Sequence, residues 1–212
     1  MRITVFGATG AVGGLVVRQA LDAGHKVTAV VRDPARFRVS HPALEVATVP
    51  DLADLDRLRP TVEAADAALS GIGPRSRTDG PVASTATRSI IRALEDAGVR
   101  RFVAVSAAPV GPVPDGDSFL NRRVAMPLIS RLLRPVYDDL GAMEADLRRS
   151  TLEWSVVRPP KFTDKPTTGR YRMSIGGNVP RGYTISRGDV AHAMLAVLAD
   201  PATVRQPVGI AY

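Results

Sequence analysis

The chain has 212 residues, 45% hydrophobic and 23% charged, the make-up of an ordinary soluble globular protein able to bury a sizeable core. No apolar run approaches the ~18 residues a membrane helix needs, and the absence of cysteine excludes disulfides, thiolate metal sites and thiol nucleophiles together. The formal charge of +7 and pI near 10.5 raise nucleic acid as a partner. Yet 25 of the 28 basic residues are scattered arginines with no dense run or aromatic-interleaved motif, so the expected partner is a polyanionic small molecule rather than nucleic acid or a membrane.

The first predicted strand, Arg2 to Phe6, leaves no room for a signal peptide ahead of it, and the expected location is the cytoplasm. A glycine-rich turn leads into a helix from Ala11 to Ala23, with apolar residues at helical spacing and Gly24 as its stop. Strands follow at Lys26 to Val31, Leu44 to Val49 and Ala67 to Ser70. A second helix, Ser84 to Ala97, stops at Gly98, and a fifth strand runs from Arg101 to Val105. This alternation predicts βαβ units around a parallel sheet with helices on both faces, an α/β fold of the Rossmann, doubly wound type. "APVGPVPDGD", Ala108 to Asp117, is a loop. The segment from Ser118 to Ser150 reads as two helical pieces separated near Pro135; the first is basic and apolar, and core packing is expected of it rather than a place on a membrane surface. After a strand from Glu153 to Val157 the chain is Pro- and Gly-rich until "SRGDVAHAMLAVLAD", a helix capped by Ser186 and expected to close the fold. Residues 1–212 are read as a single domain with a small C-terminal substrate-covering region, a monomer or homodimer.

Residues 3 to 14, "ITVFGATGAVGG", place strand, turn and helix in immediate succession. Gly7, Gly10 and Gly13 form GxxGxxG, one residue away from the dinucleotide fingerprint. Gly7 lets the chain turn, Gly10 lets bare backbone approach a pyrophosphate, and Gly13 lets the helix pack on the sheet. The amides around Ala11 and Val12 are orphan donors at a positive helix end, suited to phosphate oxygens. Arg32 and Asp33 stand 19 and 20 residues beyond Gly13, where a second strand delivers its end beside the adenosine ribose. Arg36 follows within a turn, so two guanidiniums can close on one phosphate, with Asp33 turned away or capping the turn after it. The expected cofactor is NADPH rather than NADH.

"VFGATGAVG", "VTAVVRDPARF", "LSGIGPRS", "RRFVAVSA", "WSVVRPPKFTDKPTTGRY" and "ISRGDVAHAML" occur in an order that resembles the atypical short-chain dehydrogenases of the NAD(P)H-binding, NmrA-like group. Within it the likeness is to the NADPH-dependent flavin and biliverdin-IXβ reductases, over essentially the whole chain. The resemblance implies that Thr9, Gly10, Ala11 and Val12 cradle the pyrophosphate and that Arg32 and Arg36 hold the 2′-phosphate. It also implies that Asp51 and Leu52 contact adenine, that Gly73, Pro74 and Arg75 line the path to nicotinamide, and that Ser106 sits beside the ring with Pro159, Pro160 and Lys161 at its carboxamide. Two departures concern the substrate side: those reductases carry a histidine where this chain has Lys161, and another near Leu140.

Conventional short-chain dehydrogenases protonate a carbonyl with a Tyr activated by a Lys four residues later. Here Tyr137, Tyr171 and Tyr183 are followed at that spacing by Gly141, Ile175 and Arg187. The chemistry expected instead is hydride transfer to a flavin, quinone or tetrapyrrole-like acceptor, which depends on ring positioning rather than an acid–base pair. Ser106 is expected to orient nicotinamide or donate a hydrogen bond, and Lys161 stands with it as a catalytic candidate. His192 is expected to be packed or solvent-facing, Trp154 to be core, and Asp138, Asp139 and Glu144 to lie on a helix bordering the pocket or simply in solvent. No metal site is expected. The alternative function is an NmrA-like regulatory protein that senses NADP(H) without turnover.

Overall fold

A computed structural model of the chain describes residues 1–74, 76, 78–118, 123, 128 and 131–212. Arg75 and most of the helical piece expected ahead of Pro135 lie outside the described residues. The strands are β1 (Arg2–Phe6), β2 (Lys26–Val31), β3 (Leu44–Thr48), β4 (Ala67–Ser70), β5 (Arg101–Val105), β6 (Glu153–Arg158), β7 (Lys161–Thr163), β8 (Arg172–Ile175), β9 (Thr184–Ser186) and β10 (Gln206–Ala211). The helices are α1 (Ala11–Asp22), α2 (Leu55–Leu58), α3 (Val82–Asp96), α4 (Arg134–Arg149) and α5 (Arg187–Ala199). The eight-stranded sheet has the order β3-β2-β1-β4-β5-β6-β10-β8, while β7 and β9 form a separate parallel pair. All neighbours in the large sheet are parallel except β8, which runs antiparallel to β10. The first six strands follow the doubly wound order, with its switch point between β1 and β4.

Each central strand is apolar on both sides because helices cover both faces. On one face Val16, Val17 and Ala20 of α1 and Met194 and Val197 of α5 pack on Ile3, Val5, Val27 and Ala29. On the other, Ile90 and Leu94 of α3 and Met143 and Leu147 of α4 pack on Phe6, Phe102 and Val156, with Trp154 in this core as expected. Each fully buried side chain of this size contributes about 1.5–3 kcal/mol relative to exposure. Among the described residues no helix is long and apolar enough to cross a membrane.

Two helix starts show how the chain meets its polar obligations. Ser186 caps α5 as expected, its Oγ accepting from the Asp189 amide at 3.0 Å. α3 begins two residues earlier than the sequence suggests and carries no side-chain cap of its own at Pro81. Its orphan amides instead donate to Asp139 of α4, Ala83 N at 2.8 Å and Ser84 N at 2.9 Å. Asp139 is therefore buried as a cap supplied from another helix rather than solvated.

The C-terminal third departs from expectation. α5 does not close the fold: β10 follows it and inserts between β6 and β8. Pro207 and Gly209 interrupt that strand's apolar pattern and hide it from a reading by periodicity. The Pro- and Gly-rich stretch before α5 holds β7, β8 and β9, each only three or four residues long. These pieces carry too few residues to show an alternation and take their form from their partners.

Candidate functional site

A cavity of about 1040 Å³ opens at the carboxyl ends of the central strands, across the switch point. Its floor is the glycine turn between β1 and α1. Gly7 has φ +71°, the left-handed conformation that glycine adopts without strain. A Cβ on Gly13 would lie 2.2 Å from the Gly7 carbonyl oxygen, and one on Gly71 would lie 2.8 Å from the Gly13 amide, so loop, helix and β4 end are packed backbone on backbone. The N-cap of α1 is Gly10, which has no side chain to offer. The amides of Ala11, Val12 and Gly13 consequently find no hydrogen-bond partner among the described residues. Thr9, Gly10, Ala11 and Val12 line the cavity, so this cradle of free N–H groups suits a diphosphate.

At one end of the cavity the adjacent charges after β2 part company. Arg32 lines the wall, and its guanidinium makes no ion pair among the described residues. Asp33 instead turns back to accept the Ala35 amide at 3.0 Å, capping the 3₁₀ turn Pro34–Arg36 as expected. Arg36 is exposed on that turn and is not part of the wall. Leu52 joins the wall with Val49 and Val31. Asp51, beside it, is spent on a local turn, accepting the Ala53 amide at 2.9 Å.

The middle of the cavity is formed by the ends of β4, β5 and β6. Gly73, Pro74, Ser106, Pro159, Pro160 and Lys161 all lie in its wall. Behind Ser106 is a buried ionic network that the sequence did not disclose. Ser106 Oγ donates to Glu144 Oε1 at 2.7 Å, and Arg158 Nε donates to the same oxygen at 2.9 Å. The second oxygen accepts from Arg158 Nη2 at 2.5 Å and from Arg148 Nη2 at 2.7 Å. Glu144 is 1% and Arg158 4% exposed, which excludes the solvated alternative for Glu144. Arg158, at the end of β6, also lines the cavity.

The far end is apolar and aromatic: Val113, Pro114, Leu133, Val136, Tyr137, Leu140, Phe162 and Tyr183 line it. Leu140, where related reductases were expected to place a histidine, is buried. Arg187 lies over the Phe162 ring at 5.3 Å and pairs with Asp164. The loop after β5 is held across this end by side chains from the segment before α5. Asn178 Nδ2 donates to the Ala108 and Pro112 carbonyls at 2.8 and 3.0 Å, and Tyr183 Oη donates to Asp117 Oδ1 at 2.9 Å. His192 lies outside the wall, exposed, with its Nδ1 2.8 Å from Tyr171 Oη.

One cavity thus gathers most of the residues the sequence singles out. Gly13 serves packing behind it, while Arg36 and Asp51 fall outside the wall. Gly71, Arg158, Phe162 and Arg187 were missed, and Glu144 was named only as a carboxylate bordering the pocket or in solvent. "LSGIGPRS" and "WSVVRPPKF" contain three of them, Gly71, Arg158 and Phe162, but nothing in local spacing says that Glu144 on α4 faces Arg158 on β6. That pairing arises only when α4 packs on the sheet.

The NAD(P)H-binding family matches residues 7–201. A UPF0659 protein of Schizosaccharomyces pombe is 28% identical over 92% of this chain and 83% of its own. Among solved structures, a short-chain dehydrogenase/reductase from Veillonella parvula in complex with NADP superposes with a TM-score of 0.81 at 19% identity, covering 100% of this chain and 94% of the other. A protein from Streptococcus pneumoniae, provisionally named an NADH-flavin reductase, gives a TM-score of 0.80 at 21% identity, over 100% of this chain and 99% of the other. At such identity these two structures speak for the fold. With the family match spanning nearly the whole chain over a floor of amides without partners among the described residues, the protein belongs to the NAD(P)H-binding family, on a Rossmann-type α/β fold.

Proposed function

We propose that this protein is an NADPH-dependent oxidoreductase whose acceptor is a flat conjugated molecule such as a flavin, a quinone or a tetrapyrrole. The observation that carries the reading is the continuity of the cavity. One wall runs from Arg32, past the free amides of Ala11 and Val12, to Ser106, and on into an apolar and aromatic end. Its volume of about 1040 Å³ is at the top of the range for a single-ligand pocket, which supports room for an acceptor ring beside the dinucleotide. The provisional name of the S. pneumoniae neighbour points the same way.

The residues fit the cofactor. Arg32 supplies a guanidinium without an ion pair among the described residues where a 2′-phosphate would stand, with exposed Arg36 available as the second, and Asp33 is turned away from it; this favours NADPH over NADH. The α1 amides would hold the diphosphate. Bound NADPH supplies a hydride, and the chain's task is then to align two rings and exclude water. Tyr137 and Tyr183 line the cavity without a lysine four residues on, and Leu140 is apolar, so the wall offers little for protonating a simple carbonyl. Lys161, exposed at the cavity edge, supplies positive charge to an anionic acceptor.

The test is NADPH oxidation by the purified protein with FMN, a quinone and a redox dye. Consumption with at least one of them is expected, faster than with NADH. Tight NADPH binding with no consumption in any case would instead make the protein a sensor of the cofactor.

A further inference from the structure

Glu144 has no counterpart in the expected chemistry, yet it is among the most deeply buried carboxylates of the described residues and stands behind Ser106 in the middle of the cavity. We propose that Glu144 is a positioning residue that fixes Ser106 as a hydrogen-bond acceptor for the nicotinamide carboxamide. The inference deepens the functional reading above and rests on it.

A carboxylate has about four lone-pair positions, and four donors fill them here: Ser106 Oγ, Arg158 Nε, Arg158 Nη2 and Arg148 Nη2. With every position taken, the group is an anchor and not a proton acceptor in turnover. A serine hydroxyl has one proton, and that of Ser106 lies along the 2.7 Å bond to Glu144, away from the cavity. What Ser106 presents to the cavity is therefore the lone pairs of its Oγ. That surface recognises an N–H and does not stabilise a carbonyl oxygen, which turns the expected choice for Ser106, orienting nicotinamide or donating, toward the first. The anchor is itself held fast. Arg158 is pinned between Glu144 and the loop above it, where a Cβ on Gly111 would come within 2.3 Å of Nη1. The backbone agrees, since Ser106 N donates to the Val157 carbonyl at 2.8 Å and so ties the serine to the strand that carries Arg158. A carboxamide whose NH₂ is read at Ser106 has only one in-plane orientation, and the ring face offered to the acceptor follows from it.

The test is binding, measured by calorimetry without turnover, of NADP⁺ and two analogues. The thionicotinamide analogue keeps the NH₂; the 3-acetylpyridine analogue replaces it with a methyl group. The protein should bind the first like NADP⁺ and the second roughly five- to tenfold more weakly, the loss expected for one hydrogen bond. Ser106→Ala, which leaves the Glu144–Arg158 pair intact, should abolish that preference. Because Glu144→Gln alone would strand a buried guanidinium, the anchor is better removed as a pair in Glu144→Leu/Arg158→Met. There the freed hydroxyl can donate to the ketone, and the acetyl analogue should bind at least as well as NADP⁺. The ADP-ribose 2′-phosphate half, which lacks the ring, should bind all three proteins equally. No preference in the unmodified protein, or variants that weaken this half as much as the whole cofactor, would overturn the assignment. A protein that binds NADP⁺ without discriminating loses only the role of Glu144, whereas one that binds no nicotinamide nucleotide loses the functional reading with it.

Discussion

Arg32 and Asp33 are neighbours with opposite charges, and the geometry of three residues decides which one a ligand meets. Pro34 starts a 3₁₀ turn whose first free amide, that of Ala35, must be satisfied, and the Asp33 carboxylate reaches it at 3.0 Å. Capping of this kind contributes about 1 kcal/mol, and it removes the carboxylate from the position that would select NAD. The guanidinium beside it is left to the cavity. A charge-assisted bond from it to a phosphate contributes about 1.5–3 kcal/mol. Arg32→Ala is accordingly expected to lower the ratio of NADPH to NADH affinity by roughly tenfold or more. Fluorescence titration with both nucleotides reads this directly, and an unchanged ratio would show that Arg32 is not the selecting group.

At the scale of elements, the helices that flank the site depend on polar groups supplied by other elements. α3 has a proline at its N-cap and borrows the Asp139 carboxylate of α4 for two amides. Removing that carboxylate leaves two buried donors unsatisfied. Asp139→Ala should therefore cost about 2–3 kcal/mol of stability, a drop of roughly 4–12 °C in Tm for a chain of this size. A melt followed by circular dichroism checks it. Since α4 also carries Glu144 and, on either side of Asp139, the cavity-lining Tyr137 and Leu140, the same variant should weaken cofactor binding as well as folding.

Across the whole molecule, the C-terminal pieces are gathered by one buried carboxylate. Asp189, at the start of α5, accepts from Tyr212 Oη at 2.5 Å, from the Gly169 and Thr168 amides at 2.7 and 2.8 Å, and from Thr168 Oγ1 at 2.9 Å. Burial alone would raise its pKa, but these donors outweigh it and hold the carboxyl at about 2. A carboxyl depressed from the ordinary ~3.9 contributes stability that is complete above that value and is lost as pH falls toward about 2. Its size is on the order of 2 kcal/mol. Urea unfolding of the protein and of Asp189→Asn should show a stability difference that is flat above roughly pH 4 and shrinks between pH 4 and pH 2. A difference independent of pH would mean that the charge of Asp189 does not bind these pieces together.

The amino-acid sequence by itself determined the doubly wound sheet through β6, the glycine floor, Arg32 in the wall and the cap at Asp33. Each of these follows from a local cause: hydrophobic periodicity within a segment, a glycine needed for a positive φ, or a side chain reaching two residues along the chain. Only the tertiary structure decided the rest. β10 is a strand because β6 and β8 pair with it, despite its proline and glycine. Asp139 and Glu144 read as helix carboxylates bordering the pocket or simply in solvent until α4 docks, and then one caps another helix and the other joins Ser106 to Arg158. The physical reason is the same throughout. Patterning records what each residue does to its neighbours in the chain, whereas the partners of a buried charge or of a short strand come from distant segments, and the stabilisation that fixes them exists only after the core has formed.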